Sequence, residues 1–202
     1  MTTTKPSEFS VGLLHEVVVT ASKVGWMPED FAALAHSEQK MAQVLSVVRG
    51  EKMVGEFDTI IRVDRSVQPT WPDFVKEVLH PELQSVGPAE YDLSQVELYL
   101  HDGQKDGKSM KGAKLYEHLK ETDSLKNCLG FQDALEIQKK GIATFRKFFG
   151  NKVVICWKSV VRGSDGYLGV PYVYGSGGEV VVSWDWIGSD FDVYLPAARL
   201  AS

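Results

Sequence analysis

The last third of the chain alternates apolar and polar residues in runs that are separated by two glycine-rich turns. Gly163-Ser164-Asp165-Gly166 is the first turn and Gly175-Ser176-Gly177-Gly178 is the second. Asp-Gly and Gly-Gly steps suit hairpin turns because glycine accepts the positive φ that these turns require. We therefore expect an antiparallel meander of three strands at 153–162, 167–174 and 179–186.

A helix is expected directly before this meander. Residues 131–149 place Leu135, Ile142, Phe145 and Phe149 on one face at helical spacing, with most of the charged residues elsewhere. The apolar face of such a helix has to be buried, so we expect it to pack on the meander.

The first quarter of the chain is also helical in pattern. Residues 7–24 have apolar positions at helical spacing and are followed by Gly25, a typical residue after a helix end. Residues 28–48 continue the pattern, as one helix or as two that are separated near His36-Ser37. Residues 1–50 are thus predicted to be a helical hairpin or a three-helix unit.

The centre of the chain changes pattern several times. Residues 54–63 have a strand-like pattern. Residues 66–92 contain four prolines and Gly87, which predict an irregular connector with a short helix at 72–80. Residues 95–100 alternate like a strand, and a helix is expected near 109–121.

These patterns together predict an α+β protein. It has an N-terminal helical hairpin (1–50) and an α+β domain (51–202) with a mixed central region and a C-terminal three-stranded antiparallel meander packed on a helix. The chain has 202 residues, of which 44% are hydrophobic, which is enough for one sizeable core or for one domain with a small helical extension. No apolar run reaches membrane-spanning length and no signal-peptide pattern follows Met1, so we expect a cytoplasmic protein without a membrane partner.

The charge is unevenly distributed. The net charge is −5, and it divides into −7 for residues 1–100, +6 for residues 101–162 and −4 for residues 163–202. The basic middle is either an anion-binding face or the solvated side of lysine-bearing helices. An acidic chain of this kind is a poor candidate for tight non-specific binding to DNA.

A lysine-rich loop lies in this basic segment. Loop 101–112 resembles a phosphate-binding loop at a helix N-terminus, although Gly103 and Gly107-Lys108-Ser109 are one residue too close for a P-loop. A small enzyme that binds a phosphorylated ligand here is one alternative, and a plain polar loop is the other. For a protein or a single-stranded nucleic acid bound by this basic segment, the lysines that would supply positive charge are Lys105, Lys108, Lys111 and Lys114.

Residues 28–48 also fit part of a helix-turn-helix pattern. Ala32 falls where a small residue is required, but His36 stands where glycine is usual, and few side chains are suited to DNA contacts. A DNA-binding regulator is therefore an alternative to an ordinary pair of helices.

The meander is rich in aromatic residues. Tyr172 and Tyr174 share one face of their strand, and Trp184 and Trp186 share one face of theirs. Such rings either lie in the core, under the preceding helix, or form an exposed surface that stacks bases or binds a peptide. Tyr172, Trp184 and Trp186 are the candidate stacking residues.

Catalytic and metal-binding patterns are not found in the sequence. The five histidines are scattered, and Cys128 and Cys156 are isolated, so we expect two buried thiols and no metal ligands, catalytic residues or cofactor. The best interpretation is a non-enzymatic binding module for a protein or a single-stranded nucleic acid.

A motif of the C-terminal third runs through Arg162, Asp165-Gly166-Tyr167-Leu168, Trp184-Asp185-Trp186, Pro196-Ala197-Ala198 and Leu200-Ala201-Ser202. This motif resembles a family of uncharacterised short proteins from candidate-phylum bacteria. The chain departs from the family pattern at Ile155-Cys156-Trp157, where aromatic residues are usual before the tryptophan. The resemblance implies a cytoplasmic bacterial protein of unknown function and assigns no residue a role.

Overall fold

The structure is a computed structural model and describes residues 11–49 and 58–200. The chain forms two compact units, residues 1–56 and 57–202. The domain boundary predicted at residue 50 lies outside the described residues. Among the helices in the described ranges, none is both long enough and apolar enough to cross a membrane.

The first unit contains three described helices. They are α1 (Val11–Lys23), α2 (Pro28–Ala35) and α3 (Glu38–Val48). Gly25 has a φ of +94° and follows α1, as its position after the helix predicts. The interruption between α2 and α3 is explained by Ser37, whose hydroxyl accepts the backbone N–H of Lys40 and so begins a new helix. Residues 28–48 are therefore two helices.

The second unit contains three helices and eleven strands among its described residues. The helices are α4 (Gly112–Glu121), α5 (Phe131–Lys139) and α6 (Gly141–Phe149). The strands are β1 (Ile60–Arg62), β2 (Val75–Val78), β3 (Glu90–Asp92), β4 (Val96–Tyr99), β5 (Met110–Lys111), β6 (Val154–Ile155), β7 (Val161–Gly163), β8 (Leu168–Ser176), β9 (Glu179–Trp186), β10 (Asp190–Phe191) and β11 (Ala197–Leu200). This content confirms the predicted α+β class.

Seven strands form one sheet in the order β2-β7-β8-β6-β11-β4, with β9 on the other side of β8. All pairs are antiparallel except β11 with β6. The long strand β8 organises the sheet, because β7 and β6 pair with its two halves on one side and β9 pairs along its whole length on the other. The antiparallel succession β7-β8-β9 is the meander expected from the two glycine turns.

The sheet is covered on both faces. We call the first face the helix-pair face; it carries Val173 and packs on α5 and α6 in a core that includes Ile137 and Phe145. We call the second face the α4 face; it carries Val170, and its core includes Leu115 of α4. The helix predicted to pack on the meander is thus confirmed, but it covers only one of the two faces.

Two elements that the sequence predicts as continuous are each divided in the structure. The single helix expected at 131–149 is two helices, because Gly141 has a φ of +79° and interrupts the helix after Lys140. The first meander strand, expected at 153–162, is divided into β6 and β7 by a 3₁₀ turn at Trp157–Ser159. Both halves still pair with β8.

The helix predicted at 72–80 is wrong, because this segment contains strand β2. Val75 and Val78 pair with β7, and only a 3₁₀ helix at Pro81–Ser85 follows. Pairing with a strand more than 80 residues away overrides the weak local helical preference of this segment. Of the strand expected at 54–63, Ile60–Arg62 is confirmed as β1, and residues 54–57 lie outside the described residues.

Candidate functional site

An aromatic cleft lies on the helix-pair face at the end of β9. Residues that are paired directly across β8 and β9 share a face, and Trp184 pairs with Pro171 while Trp186 pairs with Gly169. Because side chains alternate along a strand, both tryptophans project from the same face as Val173. This confirms that the two indoles share one face, and it places them beyond the part of that face which α6 covers.

Trp184 forms the inner wall of the cleft. Its ring centroid lies 5.1 Å from that of Phe131 at the start of α5 and 6.4 Å from that of Trp71. Phe74 meets it edge-on, with centroids 5.5 Å apart and an interplanar angle of 84°. Trp71 in turn stacks on Phe131 at 5.3 Å. The segment that precedes β2 therefore covers one side of Trp184 and adds Phe74 to the wall.

Trp186 and Tyr167 form the outer wall. Their rings are 5.5 Å apart at an angle of 70°. Trp186 lies against the backbone of Gly188, where a Cβ atom would come within 2.3 Å of the indole ring. This close approach requires glycine and supports one side of the indole. The other side stays accessible, since Trp186 is 51%, Tyr167 61% and Phe74 41% exposed.

Glycines leave space between these walls. A side chain at Gly163 would collide with the Asp165 carboxylate, 2.7 Å from the Cβ position, and one at Gly169 would reach the Trp184 ring at 3.9 Å. The resulting cleft has a volume of about 140 Å³. Asp165 lies at its rim, where one carboxylate oxygen accepts the backbone N–H of Tyr167. The cleft thus combines aromatic walls with a carboxylate.

A buried polar cluster holds the base of the inner wall in place. Asp133 is fully buried and accepts two hydrogen bonds from the Arg65 guanidinium, at 2.6 and 3.1 Å, and one from the Tyr91 hydroxyl at 3.0 Å. It also accepts the backbone N–H of Gly130 at 2.8 Å, which fixes the start of α5 directly beside Phe131. Burial and the adjacent Asp133 charge raise the pKa of Tyr91.

A buried lysine lies next to this cluster. Lys158 is 1% exposed and donates to the carbonyl oxygen of Val86 at 2.9 Å. Burial lowers its pKa, and the neighbouring Asp133 acts in the opposite direction. Gly87 approaches so closely that a Cβ there would lie 3.3 Å from the Lys158 Nζ. The lysine is therefore part of the interior that supports the loop over it.

The structure separates the residues that the sequence analysis grouped as one site. Tyr172 pairs with Ser183, so it lies on the α4 face, opposite to Trp184 and Trp186. Its ring lies 5.5 Å from that of Tyr174, and both side chains are half-buried. Sequence periodicity shows which residues of one strand share a face, but only the strand register shows which faces of two strands coincide.

None of the four candidate lysines lines the cleft. Helix α4, which contains Lys114, packs on the α4 face. Lys105 pairs with Asp102 and Lys111 with Asp190, each at 2.9 Å, while Lys108 and Lys114 are exposed. These side chains do not surround the tryptophans on the helix-pair face.

The N-terminus of α4 is also occupied by protein. The backbone N–H groups of Gly112 and Ala113 donate to the carbonyl oxygens of Ser189 and Ile187, at 3.0 and 2.6 Å. A phosphate-binding loop needs such N–H groups to point at the ligand. The geometry of loop 101–112 therefore gives the phosphate-ligand alternative no support.

The helix pair α2 and α3 has the order of a helix-turn-helix but no buried interior. Of the three residues on the apolar positions of the pattern, Phe31 is half-buried and Ala35 and Leu45 are exposed, and α2 and α3 contain no buried residue. Among the described residues, no cluster of three or more His, Cys, Asp and Glu side chains is arranged to hold a metal ion.

Part of the cleft was not predicted from the sequence. Trp184 and Trp186 belong to the predicted aromatic set, and Tyr167 begins the second strand of the same meander. Phe74 and Trp71 lie more than 90 residues earlier, in a segment interpreted as a connector. The proline-bounded Trp71-Pro72 step was a weak signal for an ordered aromatic segment. Comparisons of the chain with protein-family models, with curated proteins and with solved structures find no match.

Proposed function

We propose that this chain is a non-enzymatic binding module whose aromatic cleft takes a lysine or arginine side chain of a partner protein. The observation that carries the proposal is the set of exposed rings, Phe74, Tyr167 and Trp186, around a cleft with Asp165 at its rim. Exposed aromatic side chains that cluster in a concave surface are typical of recognition sites.

The chemistry of the cleft favours a cation. Tryptophan is the best aromatic partner for a cation, and such a contact contributes about 0.5–2 kcal/mol, depending on how far the site is desolvated. Within residues 58–200, the cations that lie over aromatic rings are found on Phe148, Tyr194 and Tyr99. Among the described residues, no lysine or arginine side chain lies over a ring of the cleft. The carboxylate at the rim adds electrostatic attraction for a positive charge.

The size of the cleft favours a side chain over a whole small molecule. Sites for drug-sized ligands and cofactors measure roughly 300–1,000 Å³, whereas this cleft measures about 140 Å³. A lysine or arginine head group is a single small unit on a flexible stem, and its apolar stem would lie along the rings. The rest of the affinity would come from the chain around that residue.

The same features disfavour a single-stranded nucleic acid, the other ligand that the sequence predicts. Proteins that bind single strands combine stacking rings with a positively charged groove. Here the rings are accompanied by a carboxylate, and none of the four candidate lysines lines the cleft. The proposed partner is therefore a protein with an exposed basic segment.

The test compares peptides that differ only in one charge. A glycine-serine peptide with a central lysine is titrated against its norleucine analogue, which keeps the stem and lacks the ammonium group. Binding is followed by calorimetry and tryptophan fluorescence. We expect the lysine peptide to bind and the norleucine peptide to bind at least about tenfold more weakly, which corresponds to ~1.4 kcal/mol.

The matched variants are Trp186→Leu, which removes a ring from the cleft, and Tyr174→Leu, which removes a ring from the opposite face of the sheet. We expect only the first to lose peptide binding. Equal binding of the two peptides would contradict the proposal. So would a response to mixed-sequence single-stranded RNA alone, which would support the nucleic-acid alternative.

A further inference from the structure

Among the described residues, strand β9 is an edge of the sheet, and every second backbone position along it points away from β8. The backbone N–H of Ile187 donates to Leu168, so odd-numbered residues of β9 hydrogen-bond to β8. The alternation is confirmed on the other side of β8, where Pro171 accepts a hydrogen bond from Cys156 next to β6. The even-numbered residues of β9, 180 to 186, therefore direct their N–H and C=O groups outward.

Side chains and a turn already satisfy the Val180 carbonyl at one end of this outward row and both backbone groups of Trp186 at the other. The amide of Gln138 on α5 donates to the Val180 carbonyl oxygen at 2.9 Å. At the other end, the Trp186 N–H donates to the Asp185 carboxylate at 2.7 Å, and the Trp186 carbonyl accepts the Ser189 N–H at 2.9 Å. Such capping is a usual protection of edge strands.

The middle of the row is left open. Val182 and Trp184 each direct one N–H and one C=O outward. Within residues 11–49 and 58–200, these groups have no hydrogen-bond partner. Residues 179–186 contain no proline and no lysine, which are the residues that commonly prevent edge pairing. An open edge of two residues with paired donors and acceptors is a template for another strand.

We propose that the partner at this edge is a second copy of the chain, paired antiparallel through a two-fold axis at Ser183. The open residues lie one on each side of Ser183, so this axis brings Val182 of one copy opposite Trp184 of the other. The open N–H and C=O groups of Val182 and Trp184 on both copies then find partners, and the paired row ends at Trp186, whose groups are already satisfied within its own copy. The open edge is complementary to itself in this register, as a two-fold interface requires.

The side chains and charges agree with this register. Ser183 faces its own counterpart, and Asp185 faces Val181 of the second copy, so no like charges are opposed. The two-fold axis is perpendicular to the sheet, and both helix-pair faces point the same way. The dimer would thus present two aromatic clefts on one side, which raises the effective affinity for a partner with two basic segments. The pairing itself does not depend on the proposed function.

The first test is the oligomeric state of the full chain, measured by light scattering coupled to size-exclusion chromatography across the micromolar range. We expect a molar mass of twice the 22.4 kDa chain. Ser183→Lys opposes two positive charges across the axis and is expected to give a monomer. Ser176→Lys, a matched change at an exposed position in the preceding turn, is expected to remain a dimer.

The second test locates the axis by a disulfide. In antiparallel strands, residues opposed outside the hydrogen-bonded pairs have Cα atoms about 4.5 Å apart, within the range that a disulfide bridges. Ser183→Cys should form a covalent dimer under mild oxidation, and Ser176→Cys should not. The natural cysteines, Cys128 and Cys156, are fully buried and do not interfere. A monomeric wild-type chain, or equal crosslinking of both variants, would overturn the proposal.

Discussion

The buried carboxylate of Asp133 is the position at which a single change should affect the second unit most. Asp133→Asn keeps the size and shape of the side chain and removes its charge. The asparagine oxygen still accepts from one side, but its amide nitrogen is a donor and faces donors of Arg65 and Gly130. Two of the four hydrogen bonds are lost, and the Arg65 guanidinium remains in the interior without its anion.

The expected cost follows from the burial of both groups. The Arg65 and Asp133 side chains are 9% and 0% exposed. Removal of one partner from a buried ion pair typically costs about 3–5 kcal/mol, because a charge is left uncompensated. A loss of this size corresponds to a melting temperature that is lower by roughly 10 °C for a unit of this length.

The assay is urea unfolding of the full chain, followed by tryptophan fluorescence, which reports mainly on the second unit. The matched control is Glu136→Gln, the same acid-to-amide change on the same helix, where the carboxylate pairs with Lys139 on the surface. We expect little change for this control, since exposed pairs contribute little to stability. The double variant Arg65→Met with Asp133→Leu should lose less than the sum of its single changes. If Asp133→Asn lowers the free energy of unfolding no more than the control does, the cluster is hydrated and Asp133 does not neutralise a buried charge.

Three further predictions concern the interior and the cleft. The stability of the wild type relative to Lys158→Met should rise as the pH increases from neutral toward 10.5, the ordinary pKa of lysine. The pKa of the buried lysine is lowered, so in the folded protein it loses its proton at a lower pH than in the unfolded chain. The measurement is urea unfolding at several pH values, and a stability difference that does not change with pH would show that Lys158 is hydrated. Gly112→Ala should lower the free energy of unfolding by about 1–3 kcal/mol, since its methyl group would lie 2.4 Å from the Phe191 ring. Gly107→Asn, at an open position with positive φ, should lower the free energy of unfolding much less in the same assay. Asp165→Asn should weaken binding of the lysine peptide in calorimetry without affecting the melting temperature, and unchanged affinity would mean that the rings alone attract the cation.

The parts of the fold that follow from local chemistry were predictable from the sequence. The two glycine turns defined the meander, because their backbone conformation admits few alternatives. Gly25 and the spacing of apolar residues likewise indicated α1. These elements depend on residues that are close together in the chain.

The parts that depend on distant contacts were not predictable. The sequence of β2 has a local pattern typical of a helix, and the segment is a strand because it pairs with β7. The predicted stacking residues were divided between two faces, because one strand's periodicity does not reveal its register with the next. Only part of the cleft could be predicted. The sequence indicated Trp184 and Trp186, but the contact of Phe74 with Trp184 depends on residues that are far apart in the chain.

The most direct test of the account is whether a bare cation contacts the cleft. Tetramethylammonium is titrated into the ¹⁵N-labelled protein, with sodium chloride at equal ionic strength as control, and the five tryptophan indole signals are followed by NMR. We predict that the Trp184 and Trp186 indole signals shift with a common saturation curve, that the signal of the buried Trp157 does not move, and that Trp186→Leu abolishes the shift at Trp184. Equal shifts in sodium chloride, or no shift at either cleft tryptophan, would contradict cation recognition.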